Sequence, residues 1–286
     1  MPCYVMRTDC GGTVSLAELM SISTVAKDDY SWLRCTIPEN SAEFASAVTE
    51  LAQRILRLRC GAAVQTYDAW QDCVQNGGEL SEGERAALAA FVRPGFGNPG
   101  RELPKDHLEG MTAEYLWYFA TIDHAVANDI DIARIEAPGP SPSTSGGDGL
   151  VILRGDDGCS FFLWEIKKNT GGAKVSASVK RAYDQLGANA LEYLARYVGP
   201  ASVEAANDAE LLAAIGTMVD DWVSASETAG AGIAVATSVA KTPARCFSKF
   251  PEYFPTLKPR LRGAVYGIGE FSGFAEAVKD SLWTGL

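Results

Sequence analysis

Residues 147–167 read GDGLVILRGDDGCSFFLWEIK. The runs 148–154 and 161–168 are rich in branched and aromatic side chains, and the Gly-Asp-Asp-Gly between them is a turn composition, so the stretch predicts two adjacent strands. Alternation along the second strand puts Phe161, Leu163, Glu165 and Lys167 on one side and Phe162, Trp164 and Ile166 on the other. Both sides stay apolar until the charges begin, which is the pattern of a strand inside a sheet. An acid and an amine in such a place require a metal, a partner charge or a function. Asp148, at the head of the preceding strand, is the natural third member.

Composition sets the outer limits. The chain has 286 residues, 47% of them hydrophobic, and a mean hydropathy near zero; it has the material for one large globular domain or two small ones. The longest weakly polar run, Ala229 to Ala240, is too short for a membrane span. Met1-Pro2-Cys3-Tyr4 lacks the basic start and apolar core of a signal peptide. The expectation is a cytoplasmic protein with no membrane partner. Seven cysteines (odd in number, scattered, without a C-x-x-C) and only two histidines argue against a disulfide framework or a zinc ribbon. His107 and His124 fall on one expected helix with no ligand-spaced neighbour and read as structural.

The net charge of −11 weighs against strong binding of DNA by this chain alone, because such affinity comes largely from Lys and Arg neutralising phosphates. Local basic segments remain at Lys167-Lys168, at Lys174 with Lys180-Arg181, and from Lys241 to Arg262. Either they line a cleft or a partner supplies most of the grip.

Phe44, Val48, Leu51, Ile55 and Leu58 recur at helical spacing behind a cap at Asn40 or Ser41. Ser81 and Glu84 form a capping box for a short helix through Phe91. Pro94-Gly95-Phe96-Gly97-Asn98-Pro99-Gly100 then interrupts regular structure, which divides the chain into an accessory, partner-docking region at 1–100 and a second domain at 101–286. The second domain reads helix (106 to about 128), strand, a Pro/Ser/Gly loop at 138–147, strands 148–154 and 161–168, helices 173–198 and 208–224, strands 232–238 and 262–269, and helix 271–282. That order predicts an α/β fold with helices on the faces of a mixed central sheet.

Hydrolysis of a phosphodiester needs an activated water, a clamp on the nonbridging oxygens and charge compensation, all of which Mg²⁺ (or Mn²⁺) on one or two carboxylates supplies. Asp148 and Glu165 are the candidate ligands, joined by the carbonyl of Ile166. Lys167 would position the water or stabilise the phosphate. A bare E-x-K is most often a same-face ion pair. Asp148 upstream, the strand-turn-strand context and the following helix shift the balance toward a site.

This arrangement, an acid on one strand, E-x-K on the next and an acid on a preceding helix, resembles the PD-(D/E)XK nuclease superfamily over about 106–198. The resemblance implies a restriction-endonuclease-like fold. In Gly110-Met-Thr-Ala-Glu114 it nominates Glu114 as a further metal ligand and catalytic residue. Glu109 is the rival, with a structural explanation as the partner of Asp106 in a helix cap. On the helix after E-x-K, Val175, Val179, Ala182, Tyr183, Leu186, Ala190 and Leu194 form a core stripe; the resemblance nominates Gln185 and Lys180 beside it, with Arg181, as phosphate or water contacts, and solvated helix surface is the alternative. Gly147 stands where the superfamily's name-giving proline would be. More narrowly, the motifs at 107–118, 146–152 and 164–167 resemble the nuclease subunit of Hachiman-type antiphage defence systems. That likeness implies a DNA endonuclease or nickase beside a superfamily 2 helicase partner. The alternatives are a noncatalytic nuclease-fold subunit that docks a motor or senses DNA ends, and a nuclease that acts alone.

Three other features carry less. Tyr115, Trp117, Tyr118 and Phe119 can stack on bases, although aromatics on a helix beside a sheet are usually core. Gly95-x-Gly97-x-x-Gly100 follows no strand and is discarded as a dinucleotide fingerprint. Cys159 has no histidine partner that the sequence can place.

Overall fold

A computed structural model describes residues 14–98, 103–140, 148–239 and 242–286. The predicted 138–147 loop, including Gly147, lies outside this set from residue 141, as do Lys241 and Gly100. Among the described residues, seven strands form one mixed sheet: β1 (Ser21–Ala26), β2 (Ser31–Ile37), β3 (Asp131–Ile135), β4 (Gly149–Gly155), β5 (Gly158–Asn169), β6 (Ala229–Thr237) and β7 (Leu261–Ile268). Their order is β1-β2-β7-β6-β5-β4-β3. β5, β6, β7 and β2 are parallel to one another, whereas β3 and β4 on one flank and β1 on the other run antiparallel to their neighbours.

Every residue of β6 is buried, as expected of a parallel strand covered on both faces. Its sequence, AGAGIAVAT, is small for a packing reason: a Cβ at Gly230 would strike Phe162, and one at Gly232 would strike Trp164. The large rings of β5 fold over the glycines of its neighbour.

Helices α1 (Ala42–Cys60), α2 (Val64–Asn76), α3 (Glu82–Phe96), α4 (Lys105–Ala127) and α8 (Phe271–Leu282) cover one face. Helices α5 (Val175–Glu204), α6 (Ala209–Ser224) and α7 (Phe250–Tyr253) cover the other. The alternation in β5 sorts as expected, with Phe162, Trp164 and Ile166 in the first core and Phe161 and Leu163 in the second. The molecule is α/β, with the sheet between two helical layers.

The boundary at 94–100 is not where the chain divides. β2 pairs in parallel with β7 from Ser31↔Arg262 to Ile37↔Ile268, Phe44 of α1 meets Phe274 of α8 edge to face at 5.3 Å, and one apolar core runs from Leu16 to Leu282. The first hundred residues therefore contribute strands and helices to the common sheet and core. α3 also continues through Pro94 to Phe96. The reason is long-range: Arg59 of α1 lies against this last turn and donates to the carbonyls of Phe91 (2.6 Å) and Val92 (3.3 Å), supplying donors to a helix end that a proline has interrupted.

A fragment beginning at residue 103 would lose β2 and bare both the edge of β7 and the apolar side of α8. In urea titrations followed by circular dichroism, the full chain should unfold cooperatively and the fragment should show no cooperative transition. A sharp transition in the fragment would restore the two-domain division.

Candidate active site

The candidate site forms where β4 begins and β5 ends. Register pairs Gly149 with Trp164, so Asp148 sits opposite Glu165. Glycine is required at 149 because a Cβ there would run into the Trp117 ring of α4. Asp148 Oδ2 accepts a hydrogen bond from the N–H of Ile166 at 2.7 Å, which ties the head of β4 to the acidic end of β5. The N–H of Ile166 is thus part of the cluster.

Lys167 Nζ is paired with Glu165 Oε1 and lies 3.6 Å from Asp148 Oδ2. Glu165 is fully buried. Its second oxygen, Oε2, has no hydrogen-bond partner. The Glu165 carboxyl also stands in hydrogen-bonding contact with Asp148, which favours its protonated form, and if ionised its Oε2 would carry a desolvation cost.

The electrostatics follow from that crowding. Burial, reinforced by the charge of Asp148, pushes the Glu165 carboxyl well above the ordinary glutamate range, and Lys167 only partly pulls it back. Glu114, partly buried on α4, is raised by the same two causes and is likewise opposed by Lys167. For Lys167, burial works against the ammonium, but Asp148 and Glu165 outweigh it and hold the amine protonated. Three acids and one lysine share a space that cannot support full ionisation without more positive charge.

Glu114, Asp148, Glu165 and Lys167 therefore belong to one electrostatic cluster, with Glu114 reaching it from the opposite helical layer. Gln185 lies beside it: its Nε2 donates to the hydroxyl of Tyr193 at 3.1 Å, and Tyr193 is raised chiefly by burial and further by Glu165 and Asp148. Tyr197, one turn on, is raised by burial and then by Glu136, Asp148, Glu114 and Glu165. The sequence reading passed over both tyrosines. Their signal was available, since Gln185, Asn189, Tyr193 and Tyr197 recur every four residues along one edge of the buried stripe of α5. Lys180 is exposed and pairs with Asp184 one turn on, at 2.6 Å; the structure does not bring it into the cluster.

Among the described residues, no group of three or more His, Cys, Asp or Glu side chains is arranged to hold a metal ion. Mg²⁺ makes a smaller demand, often one or two carboxylates with waters completing its shell. Asp148 and Glu165 offer that hard-oxygen pair. The orphaned Oε2 and the excess of acid over base make the residues present a fit for such an ion, with Glu114 adjacent.

Glu109 is not part of a helix cap. α4 starts after Pro104, with no side-chain cap, and Glu109 is buried as the hub of a separate network. It accepts from Lys168 Nζ and Ser272 Oγ, both at 2.5 Å, and from Thr170 Oγ1 at 2.8 Å, while Lys168 also holds Asp106. The Asp-x-x-Glu spacing that suggested a cap instead sets two acids around one lysine from β5. The network joins α4, the end of β5 and the start of α8, and so fixes the helix that carries Glu114 against the strand that carries Glu165.

Tyr115, Trp117, Tyr118 and Phe119 are all buried in the core and offer no stacking surface. His124 contacts Asn128, His107 is exposed, and Cys159 lies 3.8 Å from Glu210. In comparisons with known proteins, the chain matches no family model and no curated sequence.

Burial raises the Glu109 carboxyl, but the hydrogen bonds from Lys168, Ser272 and Thr170 more than offset this and leave it below the usual range. A depressed folded pKa contributes stability above the unfolded value of about 4.3, and that contribution is lost as pH falls through the folded value. Glu109→Ala should cost about 3 kcal/mol at neutral pH, by analogy with buried pairs that lose one partner. The gap from wild type should narrow on acidification in urea titrations. A gap that is small, or that is constant with pH, would remove Glu109 from this role.

Proposed function

We propose that this chain is a metal-dependent nuclease of the PD-(D/E)XK type that hydrolyses phosphodiester bonds in DNA. One observation carries the reading: a fully buried Glu165 with one oxygen on Lys167 and the other unpartnered, directly beside Asp148. The element order supports the same reading, since an acid-bearing helix, the antiparallel run β3-β4-β5, a long helix and a strand parallel to β5 make up the arrangement that a restriction-endonuclease-like fold requires.

In this reading Asp148 and Glu165 hold Mg²⁺ or Mn²⁺, with Glu114 as a further ligand or a contact to a metal-bound water. The ion, when bound, supplies Lewis-acid activation of a water and of the phosphate oxygens. Lys167, kept protonated by its acidic neighbours, presents positive charge to a phosphate that gains negative charge in the transition state. The hydrogen bond from Ile166 N–H fixes the carboxylate of Asp148, and the Gln185–Tyr193 pair borders the cluster from α5.

The narrower reading, an effector of a Hachiman-type antiphage complex with a superfamily 2 helicase, rests on the resemblance and on the charge of −11, which leaves a partner to bring the DNA. A noncatalytic docking subunit is the second reading, favoured by the pairing of Lys167 with both acids, because an internally paired cluster stands without a metal.

Glu165→Gln and Lys167→Ala should each reduce Mg²⁺- or Mn²⁺-dependent cleavage of plasmid DNA by at least about 100-fold with the melting temperature little changed. Glu114→Gln should reduce it about 10- to 100-fold, the usual cost of losing an outer metal contact. Unaltered cleavage by the Glu165→Gln, Lys167→Ala double variant would overturn the catalytic assignment. Affinity capture from the native host should also recover an ATP-dependent motor, and recovery of a chain that is monomeric yet binds duplex DNA tightly at physiological salt would contradict the partnered reading.

A further inference from the structure

A cleft of about 210 Å³ lies between α3 and the end of α8, with Arg85, Ala86, Ala89 and Arg93 on one side and Trp283 and Leu286 on the other. Arg85, Ala89 and Arg93 recur at every fourth residue and so share one side of α3. The alanines between the two arginines leave the floor open, and no acid borders the cleft. Neither arginine is paired with a carboxylate among the described residues. Glu84, next in sequence to Arg85, is taken by the capping box, where it accepts from the N–H and the hydroxyl of Ser81 at 2.8 and 2.6 Å. Arg85 is held by its Nε, which donates to the carbonyl of Leu80 at 2.9 Å; its terminal nitrogens have no partner among the described residues.

The opposite wall is fixed as well. The N–H of Trp283 donates to the carbonyl of Lys279 at 3.1 Å, and that of Leu286 donates to the carbonyl of Trp283 at 3.1 Å. Between them Gly285, at φ +81°, packs so closely on α2 that a Cβ there would sit 2.5 Å from Cys73 Sγ. The cleft is also remote from the acidic cluster. Ser272, at the start of α8, binds Glu109, and Trp283 lies about 16 Å further along that helix at 1.5 Å per residue. On a chain with a net charge of −11, two arginines facing one cleft without an acid are a local reversal of sign.

We propose that this cleft binds a small organic phosphate, with Arg85 and Arg93 on the phosphate and a flat apolar body between Trp283 and the alanines of α3. Two guanidinium groups match a phosphomonoester, which carries about −1.5 to −2 at neutral pH, better than they match a singly charged carboxylate. The planar fork of arginine suits phosphate oxygens. Asn98, which also borders the cleft, adds an amide that can donate. The volume is below the roughly 300 Å³ at which sites for drug-sized ligands begin, so the organic part is compact. This assignment does not rest on the nuclease reading.

Isothermal titration calorimetry of the full chain in EDTA, with phenyl phosphate as the probe, tests it; inorganic phosphate, benzoate and phenol are titrated separately. Phenyl phosphate should bind saturably at one site per chain and at least about tenfold more tightly than any of the three, since each lacks part of the fit. The Arg85→Ala, Arg93→Ala variant should weaken that binding at least about tenfold. Ala86→Phe should weaken it to a similar degree by filling the cleft while both arginines remain. All three positions are exposed, and thermal melts followed by circular dichroism verify that the variants fold. Uridine 5′-monophosphate distinguishes the sources of such a ligand: tighter binding than phenyl phosphate assigns a nucleotide, and weaker binding assigns a smaller phosphomonoester. No saturable binding of phenyl phosphate, equal binding of inorganic phosphate, or wild-type affinity in either variant would each overturn the proposal. Because the titration contains no divalent ion and reads no cleavage, its outcome is separate from that of the nuclease assays.

Discussion

A carboxylate cannot be buried in a parallel sheet without compensation, and Glu165 is buried completely. The organisation around it follows from that constraint. Lys167 shares its face of β5 and supplies charge, while Asp148 is pinned by the N–H of Ile166 at the one place where the next strand can bring a second acid alongside. Gly149 follows Asp148 so that Trp117 of α4 can close on the sheet, and the glycines of β6 give room to the rings of β5. These choices bring α4, and Glu114 with it, close enough for its carboxyl to feel Asp148. What remains without a hydrogen-bond donor is one oxygen of Glu165, and the proposed metal site rests on it.

Two charged networks lie back to back at the end of β5, and adjacent lysines divide them. Lys167 serves the cluster on the α5 side, whereas Lys168 turns to Glu109 and Asp106 on the α4 side. The second network is satisfied throughout, with three donors on Glu109, and its carboxyl is held below the usual range. The first is unsatisfied, with its glutamates raised. The contrast separates a satisfied network from an unsatisfied one within two residues of sequence, and it is the physical reason for which chemistry is proposed at Lys167 and stability at Lys168.

The strand-turn-strand at 147–167 was legible because apolar alternation, a Gly/Asp turn and charges at the strand end all point one way, and α5, α6, β6, β7 and α8 were legible because each has a clear apolar pattern and identifiable ends. β1 and β2 were not. SISTVA is polar and largely exposed, and SWLRCTI has only partial alternation; both are defined by pairing, β2 with a strand more than 200 residues away. The extension of α3 through Pro94 depends on Arg59, and the role of Glu109 depends on Ser272 and Lys168. No local pattern carries contacts of that range, and a capping motif was the nearest local explanation for Asp106 and Glu109. Glu114 was reached through resemblance, whereas Tyr193 and Tyr197 were written in the four-residue spacing of α5 beside Gln185.

The central claim is that Glu165 and Asp148 are kept close, under-compensated and partly orphaned in order to hold a divalent cation. The most direct measurement is titration of the full chain with Mn²⁺, followed by the loss of the free-ion electron paramagnetic resonance signal, for wild type and for Glu165→Gln. The account predicts saturable binding by the wild type, competition by Mg²⁺, and loss of that binding in the folded variant. Mn²⁺ binding that is absent from the wild type, or that is the same in both proteins, would contradict it.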